Sequence, residues 1–523
     1  MKKNSLLLIF IALILLSSCS KSEVVKSTDK TDEVLDVTEA IDMLSDEKLE
    51  EAESKVLAEY ENAIRVSDFL FSETNERGDV TSIVTLADRN VGVKTFTYDA
   101  LDLEPEYDSI AALTINFDEK TVPDGAEELI SDDGENVIIK SGGIYVLKGT
   151  LNNKRIKIEN GVGPRVQIVL DGVKINTDKE SAISIADGCI AQIFLASGSE
   201  NEINIKEVSG SKVEKMNGAI YSKNEIAFNG KGKLIINNNF ESSIESEDKI
   251  TFISGDYKLN SKGDAIKAEN EVIFRSGNFE INSGDDAIKV KSNKKGMLYI
   301  ENANINISSG DKGLTSDNDA LIVGGTINVD AKGECITGKV INLLGGNINL
   351  KTNDDAINAS DGKQDKKINQ EGVYIRILGG DINIDSVMDG IDSNGDLYLE
   401  GGKVFISASE NDNERIIDYN GKVECNIGFE MIGVGPGAKM QDLDSESKQN
   451  YIVVYYKDVM SANNNIELID EGGNVILSYK PNKTYKAALI TSTNLEEEEN
   501  YKIISGDKEL NVKIVKGKNE IVE

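Results

Sequence analysis

Carboxylates in this chain fall on a regular beat. Asp264, Asp286, Asp355 and Asp389 each stand just before a small residue, Asp285, Asp311 and Asp354 stand one position earlier, and Asp392 lies two past the small residue Gly390. If the chain coils so that successive beats stack, these acids form rows. Two unit negative charges about 5 Å apart repel by roughly 3 kcal/mol at an effective dielectric of 20, and less where solvent screens them. Such a row calls for a positive partner, and Ca2+ accepts the irregular oxygen shell that loop carboxylates and backbone carbonyls supply. Calcium is therefore the expected ion, although two other readings stay open. Asp and Asn are also ordinary turn residues that accept backbone hydrogen bonds, and Lys267, Lys289 and Lys312 could neutralise part of the charge.

Catalysis has less to stand on. The chain contains no histidine, which excludes an imidazole base and His-metal chemistry. Paired carboxylates can hydrolyse glycosides, but here the acids recur from beat to beat and no single pair stands out. A lyase would need a strong base such as Arg beside a metal, and Arg275 and Arg376 fall near the other turn of the repeat.

The elements that must position these acids follow from the spacing. The small residues Ala265, Ala287, Gly313, Cys335, Ala356 and Gly390 move in step with a second series, Gly255, Gly277, Ala303, Gly325, Gly346 and Gly380. Each member of the second series lies 10 residues before its counterpart, from Gly255 to Ala265 through Gly380 to Gly390. The distance onward to the next turn varies, so insertions enter at one corner only, at Ser292 to Lys295 and at Asp361 to Gly372. A short fixed period with insertions on one side marks a solenoid. Each repeat holds three short β runs, such as Glu271 to Phe274, Asn278 to Asn282 and Ala287 to Val290, separated by Gly, Ser, Asn and Asp. That is one coil of a parallel β-helix. Stacked at about 4.8 Å, roughly ten coils make a rod on the order of 45 Å long. Ile220, Ile244, Ile266, Ile288, Leu314, Ile336, Ile357 and Ile391 then form an inner aliphatic ladder. The next residue in each strand, Lys267, Lys289, Thr315, Thr337, Asn358 and Asp392, alternates to the outside, facing solvent or a ligand.

Charge and the chain ends bound the setting. Lys and Arg number 57 against 91 Asp and Glu, a net charge of −34. Nucleic acid and anionic membrane are poor partners for such a surface, which lacks the basic patches that counterion release needs. The start, MKKNSLLLIFIALILLSSCS, resembles a bacterial lipoprotein signal with Cys19 as the lipid-bearing residue. The mature protein is expected on the extracytoplasmic side of the cell membrane, held by that lipid, and no later run is apolar enough to span a bilayer. Residues 20 to 66 read as an acidic linker with a weak helical pattern at Val34, Val37, Ile41 and Leu44. From Gln449 onward YIVVYY, NIELIDEGGNVILSYKP and YKAALITS read as antiparallel strands that could cap the solenoid's open edge. Cys189, Cys335 and Cys425 lie in strand-like runs and are expected to be buried single thiols.

The succession of segments resembles a known family. IIKSGGIYVLKGTL (138 to 151), VQIVLDGVKIN (166 to 176), AIYSKNEIAFNGKGKLII (219 to 236), the GDDAIKV-type cassettes, GVGPGAKMQD (433 to 442) and the strands after it are similar to secreted bacterial carbohydrate-binding proteins. That resemblance implies a right-handed parallel β-helix like that of pectate lyases, calcium bound in the helix, and binding of polygalacturonate and cellulose without known cleavage. Departures concern Lys312, Glu334 and Ser242, which replace the Asp before the small residue, and Gly218, which belongs to an uncharged cassette, so metal sites should cluster around Asp264 to Asp286 and Asp354 to Asp392. The chain lacks Trp, and flat crystalline cellulose is usually held by aromatic platforms. A uronate-rich or plant cell-wall polysaccharide bridged through Ca2+ is the better fit.

The expectation is an all-β chain: signal 1 to 19, linker 20 to 66, right-handed parallel β-helix 67 to 430 and a small antiparallel β cap 431 to 523. It acts as a monomer that binds polysaccharide without cleaving it. Asp264, Asp285, Asp286, Asp311, Asp354, Asp355, Asp389 and Asp392 are the candidate metal ligands, and Lys267, Lys289 and Asn358 the candidate sugar contacts. The rivals are a polysaccharide lyase of the pectate-lyase type and an adhesive surface protein stiffened by calcium.

Overall fold

A computed structural model of the chain describes residues 70–85, 93–159, 165–206, 218–362, 368–443 and 447–523. The signal, Cys19 and the linker lie outside the described residues, as do 363–367 of the larger insertion. Among the described residues no helix is long and apolar enough to cross a membrane.

The repeat folds into coils of three strands because its apolar residues alternate with polar ones in short runs broken by Gly and Asn. In one coil these strands are Ile266–Ala268, Glu271–Phe274 and Asn278–Ser283. Each pairs in parallel with its counterpart one coil on, as in Ile266 with Ile288, Val272 with Leu298 and Ile281 with Ile307. About 11 turns stack in this way into a β-solenoid, consistent with a parallel β-helix. The first strands alone make a 13-stranded sheet that ends at Ile417–Tyr419.

The aliphatic ladder is continuous. Ile183, Ile220, Ile244, Ile266, Ile288, Leu314, Ile336, Ile357, Ile391 and Ile417 follow one another in register and are fully buried. Burying one such side chain contributes roughly 1.5–3 kcal/mol. Aromatic rings stack at the same spacing further round the core, with Phe228, Phe252 and Phe274 at centroid distances of 4.9 and 5.0 Å. Cys189, Cys335 and Cys425 are buried thiols outside any disulfide, and burial pushes the latter two up to about 12.

Both insertions leave the first strand on its far side, between Ile288–Val290 and Met297–Ile300 and between Ile357–Ala359 and Tyr374–Ile377. The outward column is less open than alternation suggests. Thr315 and Thr337 are buried, because these short side chains sit below the level of the longer Lys289 and Asn358 that flank them in register.

The described strands before residue 99 do not join the coils. Leu70–Thr74, Val80–Thr85 and Val93–Tyr98 form a three-stranded antiparallel sheet laid on the outer face of the second strands. Phe96 stacks on Tyr299 at 3.7 Å, and Glu301 accepts hydrogen bonds from Tyr98 (2.9 Å), Tyr299 (3.2 Å) and Ser82 (3.2 Å). At the other end Phe429–Gly435 pairs in parallel with the last coil and antiparallel with Tyr485–Thr491. The C-terminal strands thus cover the edge that a solenoid would otherwise leave open. Tyr451–Met460 pairs antiparallel with Tyr485–Thr491 but in parallel with Lys518–Val522. The hairpin of Ile466–Asp470 and Val475–Tyr479 belongs to a separate four-stranded sheet.

Candidate functional site

The acidic beat lies in the turn between the third strand of one coil and the first strand of the next. A serine closing the third strand pins this turn: Ser283 Oγ donates to the carbonyl of Asp285 (2.9 Å), Ser309 to Asp311 (3.1 Å) and Ser386 to Met388 (3.1 Å). The carboxylate that follows reaches along the rod. Asp286 Oδ1 accepts the backbone N–H of Lys312 (3.0 Å), Asp355 Oδ1 that of Asp389 (2.8 Å), and Asp389 that of Arg415. These charge-assisted bonds satisfy amides that would otherwise be stranded at the kink, and they tie down the buried Asp286, Asp355 and Asp389; Asp264 is buried as well, without such a bond on its Oδ1. The small residue after each acid is a packing requirement. A Cβ on Gly313 would come within 2.5 Å of Val329 Cγ1, and one on Gly390 within 2.6 Å of Ile406 Cγ2.

Along the rim the charge is balanced in two ways. In the coils from Asp264 to Glu334, lysines meet the acids, two of them by turning back three residues and Lys312 by reaching to the next coil. Lys267 Nζ lies 3.2 Å from Asp264 Oδ2, Lys289 Nζ 2.6 Å from Asp286 Oδ2, and Lys312 Nζ 3.4 Å from Glu334. Burial works against the Lys289 ammonium, but its bond to Asp286 and the charges of Asp286, Asp264 and Asp285 outweigh it and hold its pKa above the ordinary value. Compensation is incomplete. Asp264 Oδ1, Glu245 Oε2 and Thr315 Oγ1 are buried without a hydrogen-bond partner. Burial raises the pKa of Asp264, Glu245 and Asp311. Here too Asp285, Asp286 and Asp311 each bring one carboxylate oxygen to within 4.8 Å of the others, with Asp285 and Asp311 exposed. Three hard oxygen donors converging at an open edge suit a Ca2+ ion.

In the coils from Asp354 to Asp418 no lysine stands in the outward column. Asn358, Asp392 and Asp418 follow one another in register there. Asp355 Oδ2 accepts from Asn358 Nδ2 (3.1 Å), and Asp354 Oδ1 from the backbone N–H of Asp355 (3.0 Å). Burial, with neighbouring carboxylates adding to it, pushes Asp355 up to about 6 and Asp389 up to about 7. The cation that does stand here, Arg415, was missed by sequence reasoning. It occupies the acidic position of its own cassette, Arg415-Ile416-Ile417-Asp418, and that charged-apolar-apolar-acid pattern was the signal available. Its guanidinium bonds Asp418 and donates through Nε to the carbonyl of Lys439 (3.1 Å).

The structure thus gathers Asp285, Asp286 and Asp311 at one point and sets Asp264 one coil before them. Asp354, Asp355, Asp389 and Asp392 lie in the later coils of the same rim. Lys267 and Lys289 face their own cassettes' acids, and Asn358 faces Asp355. Arg376 is buried against Glu400 at 2.6 Å, and Arg275 lies 5.2 Å from the Tyr98 ring, both away from the rim.

Comparison with known proteins adds a family. A family model described as carbohydrate-binding domain-containing protein matches residues 133–339 and 314–513. A relative of the same description from Acetivibrio thermocellus is 29% identical over 150 residues, 28% of this chain and 52% of the relative. The chain therefore spans about half the length of this curated relative. Among solved structures, a gadolinium derivative of the polysaccharide lyase-like protein from C. thermocellum is 19% identical and covers 60% of this chain and 94% of that one. Its TM-score of 0.28 is too low to carry an inference.

Proposed function

The chain belongs to the family of carbohydrate-binding domain-containing proteins, and from that membership we propose that it binds an acidic polysaccharide along the carboxylate rim, without cleaving it and with Ca2+ as the bridge. The observation that carries this reading is the convergence of Asp285, Asp286 and Asp311 at an exposed edge. A second consideration supports it. With a net charge of −34 the protein repels a polyuronate at long range unless cations intervene.

Asp285, Asp286 and Asp311 would hold the ion, which supplies positive charge between them and a sugar carboxylate. Asp286 stays oriented by the backbone N–H of Lys312. Lys289, displaced from Asp286, has a neighbouring uronate as its new partner, and Lys267 offers the same one coil earlier. Asn358 offers a further polar contact on the same track, beyond the buried Thr315 and Thr337, and successive coils are spaced at about 4.8 Å along the rod. Asp264 is a further ligand one coil before the trio. Asp354, Asp355, Asp389 and Asp392 form a second candidate stretch, where a cation would first have to displace the protons that burial favours on Asp355 and Asp389.

The test is retention of the protein in native gels containing polygalacturonate, with calcium and with EGTA. Retention that requires calcium and is lost in Asp285→Asn/Asp311→Asn supports the reading. Accumulation of unsaturated oligosaccharides would replace it with a lyase, and absence of glycan binding in calcium would favour a stiffened adhesive rod. We further propose that a lipid on Cys19 holds the protein at the extracytoplasmic membrane surface. Fatty-acid labelling that persists in Cys19→Ser would refute that part alone.

A further inference from the structure

A second face of the rod carries different chemistry. On the outer side of the third strands Asn306, Asn328, Asn349 and Asn383 stand in register on consecutive coils. From Asn328 onward each Nδ2 donates to the Oδ1 one coil earlier, at 2.7 Å from Asn328, 2.9 Å from Asn349 and 3.1 Å from Asn383. A carboxamide has two N–H donors and two acceptor lone pairs, and the ladder uses only one of each. Asn349 spends its second N–H on Asn347 (2.9 Å). The other amides keep outward-facing capacity, so the ladder presents a strip that both donates and accepts.

This strip is the floor of a groove of about 530 Å³ that crosses the coils from Asn282 to Asp385 and ends against Tyr479 of the C-terminal hairpin and Lys480 and Asn482 just after it. The asparagine column runs on into Phe405, whose ring stacks on Tyr479 with centroids 5.0 Å apart and planes 11° from parallel. The end wall is fixed in place. Tyr479 Oη and Ser407 Oγ are 2.7 Å apart, Asn482 Nδ2 donates to Asp385 (2.6 Å), and Lys483 pairs with Asp385 at 2.6 Å. Ionic groups beside the strip are already matched, Lys351 with Asp330 at 2.8 Å and Lys258 with Glu280 at 2.5 Å.

We propose that this groove binds a single uncharged glycan chain lying along the rod axis, a second carbohydrate site distinct from the carboxylate rim. Sugar hydroxyls donate and accept, as the amides do, and the coil spacing of about 4.8 Å repeats on the scale of one pyranose unit. The Tyr479 ring suits the apolar face of a terminal sugar. A polyuronate is disfavoured, because the lining carries no surplus of positive charge: Glu280, Asp330 and Asp385 stand against Lys351 and Lys480, and the carboxylates already occupy their lysine partners. The inference rests on the carbohydrate-binding reading of the chain but not on calcium or the rim.

The experiment is titration calorimetry of the full chain with cellohexaose, xylohexaose and mannohexaose in EGTA, with calcium-dependent retention on polygalacturonate measured in parallel. At least one neutral hexasaccharide should bind. Loss of two amide contacts in Asn328→Ala/Asn349→Ala should weaken it about tenfold or more. Because that variant could disturb the coil itself, Ser308→Trp is the second test. Ser308 is exposed on the groove floor, and an indole there obstructs the groove while every ladder asparagine is kept. Binding abolished in Ser308→Trp, with an unchanged melting temperature, supports the proposal. Neutral-sugar binding that survives both variants, or polygalacturonate retention with no neutral hexasaccharide bound, overturns it and leaves the rim reading standing. Absence of both kinds of binding overturns the two together.

Discussion

The rim repeats one backbone turn in two stretches that settle their charge by different means. Around Asp264 and Asp286 the outward column supplies lysines that bond the buried acids three residues back. Around Asp355 and Asp389 the same column supplies Asn358 and Asp392, and burial drives the acids toward protonation. The fold is indifferent to the choice, since the ladder beneath is unbroken from Ile266 to Ile391. One residue per coil, next to the buried isoleucine, decides whether a buried aspartate is met by an ammonium or by a proton. The acid itself is required for a local reason, the backbone N–H of the next coil, whichever partner it finds on its other oxygen.

The largest effect should come from removing a lysine. Lys289→Met leaves the buried Asp286 without its ammonium and is expected to destabilise the protein by about 3 kcal/mol, read by denaturant unfolding in EGTA. Calcium should restore much of the loss if the trio accepts the ion, because a ligand bound only to the folded state stabilises it. A wild-type value for Lys289→Met would erase the distinction between the two stretches.

Next is pH. Asp355 and Asp389 have folded pKa values of about 6 and about 7, above the ordinary 3.8. Their contribution to stability is therefore complete below about pH 4 and is lost as pH rises through 6 to 7. With chelator present, the melting temperature should fall by on the order of 5 °C between pH 5 and pH 8, and Asp389→Asn should flatten that slope. A melting temperature that rises over this range would contradict the protonated account of these coils.

A smaller change should transfer the character of one stretch to the other. Asn358→Lys places an ammonium three residues after Asp355, as Lys289 is placed after Asp286, and should stabilise by about 1 kcal/mol while lowering the Asp355 pKa measured by NMR titration. Smallest of all is Lys351→Ala. It breaks an exposed pair with Asp330 on the groove face, and its effect should stay within about 0.5 kcal/mol.

What was legible in the sequence follows from range. The isoleucine ladder and the corner that takes insertions could be read directly, because both depend on contacts with the next coil at a fixed spacing. The lysine pairs were half legible: Lys267 and Lys289 appeared as possible neutralisers, but their i to i+3 reach back to Asp264 and Asp286 depends on how tightly the turn closes. Arg415 escaped notice because it replaces the acid that served as the marker of the beat. The asparagine strip is visible in runs such as Asn304-Ile305-Asn306 and Asn347-Ile348-Asn349, yet the groove is not. Its end wall, Tyr479 to Asn482, comes from the end of a hairpin and the residues just after it, 97 residues beyond the Asp385 that Asn482 bonds, and no periodicity encodes that contact. The sheet of residues 70–98 docks on Tyr299 and Glu301 through equally remote contacts.

The most direct test of the rim as a calcium-bridged polyanion site is retention on polygalacturonate, compared in calcium and in EGTA, for wild type and Asp285→Asn/Asp311→Asn. The expected result is strong retention of the wild type in calcium only, and loss of it in the variant at an unchanged melting temperature. Retention that ignores the chelator, or that survives removal of both exposed carboxylates, would contradict it.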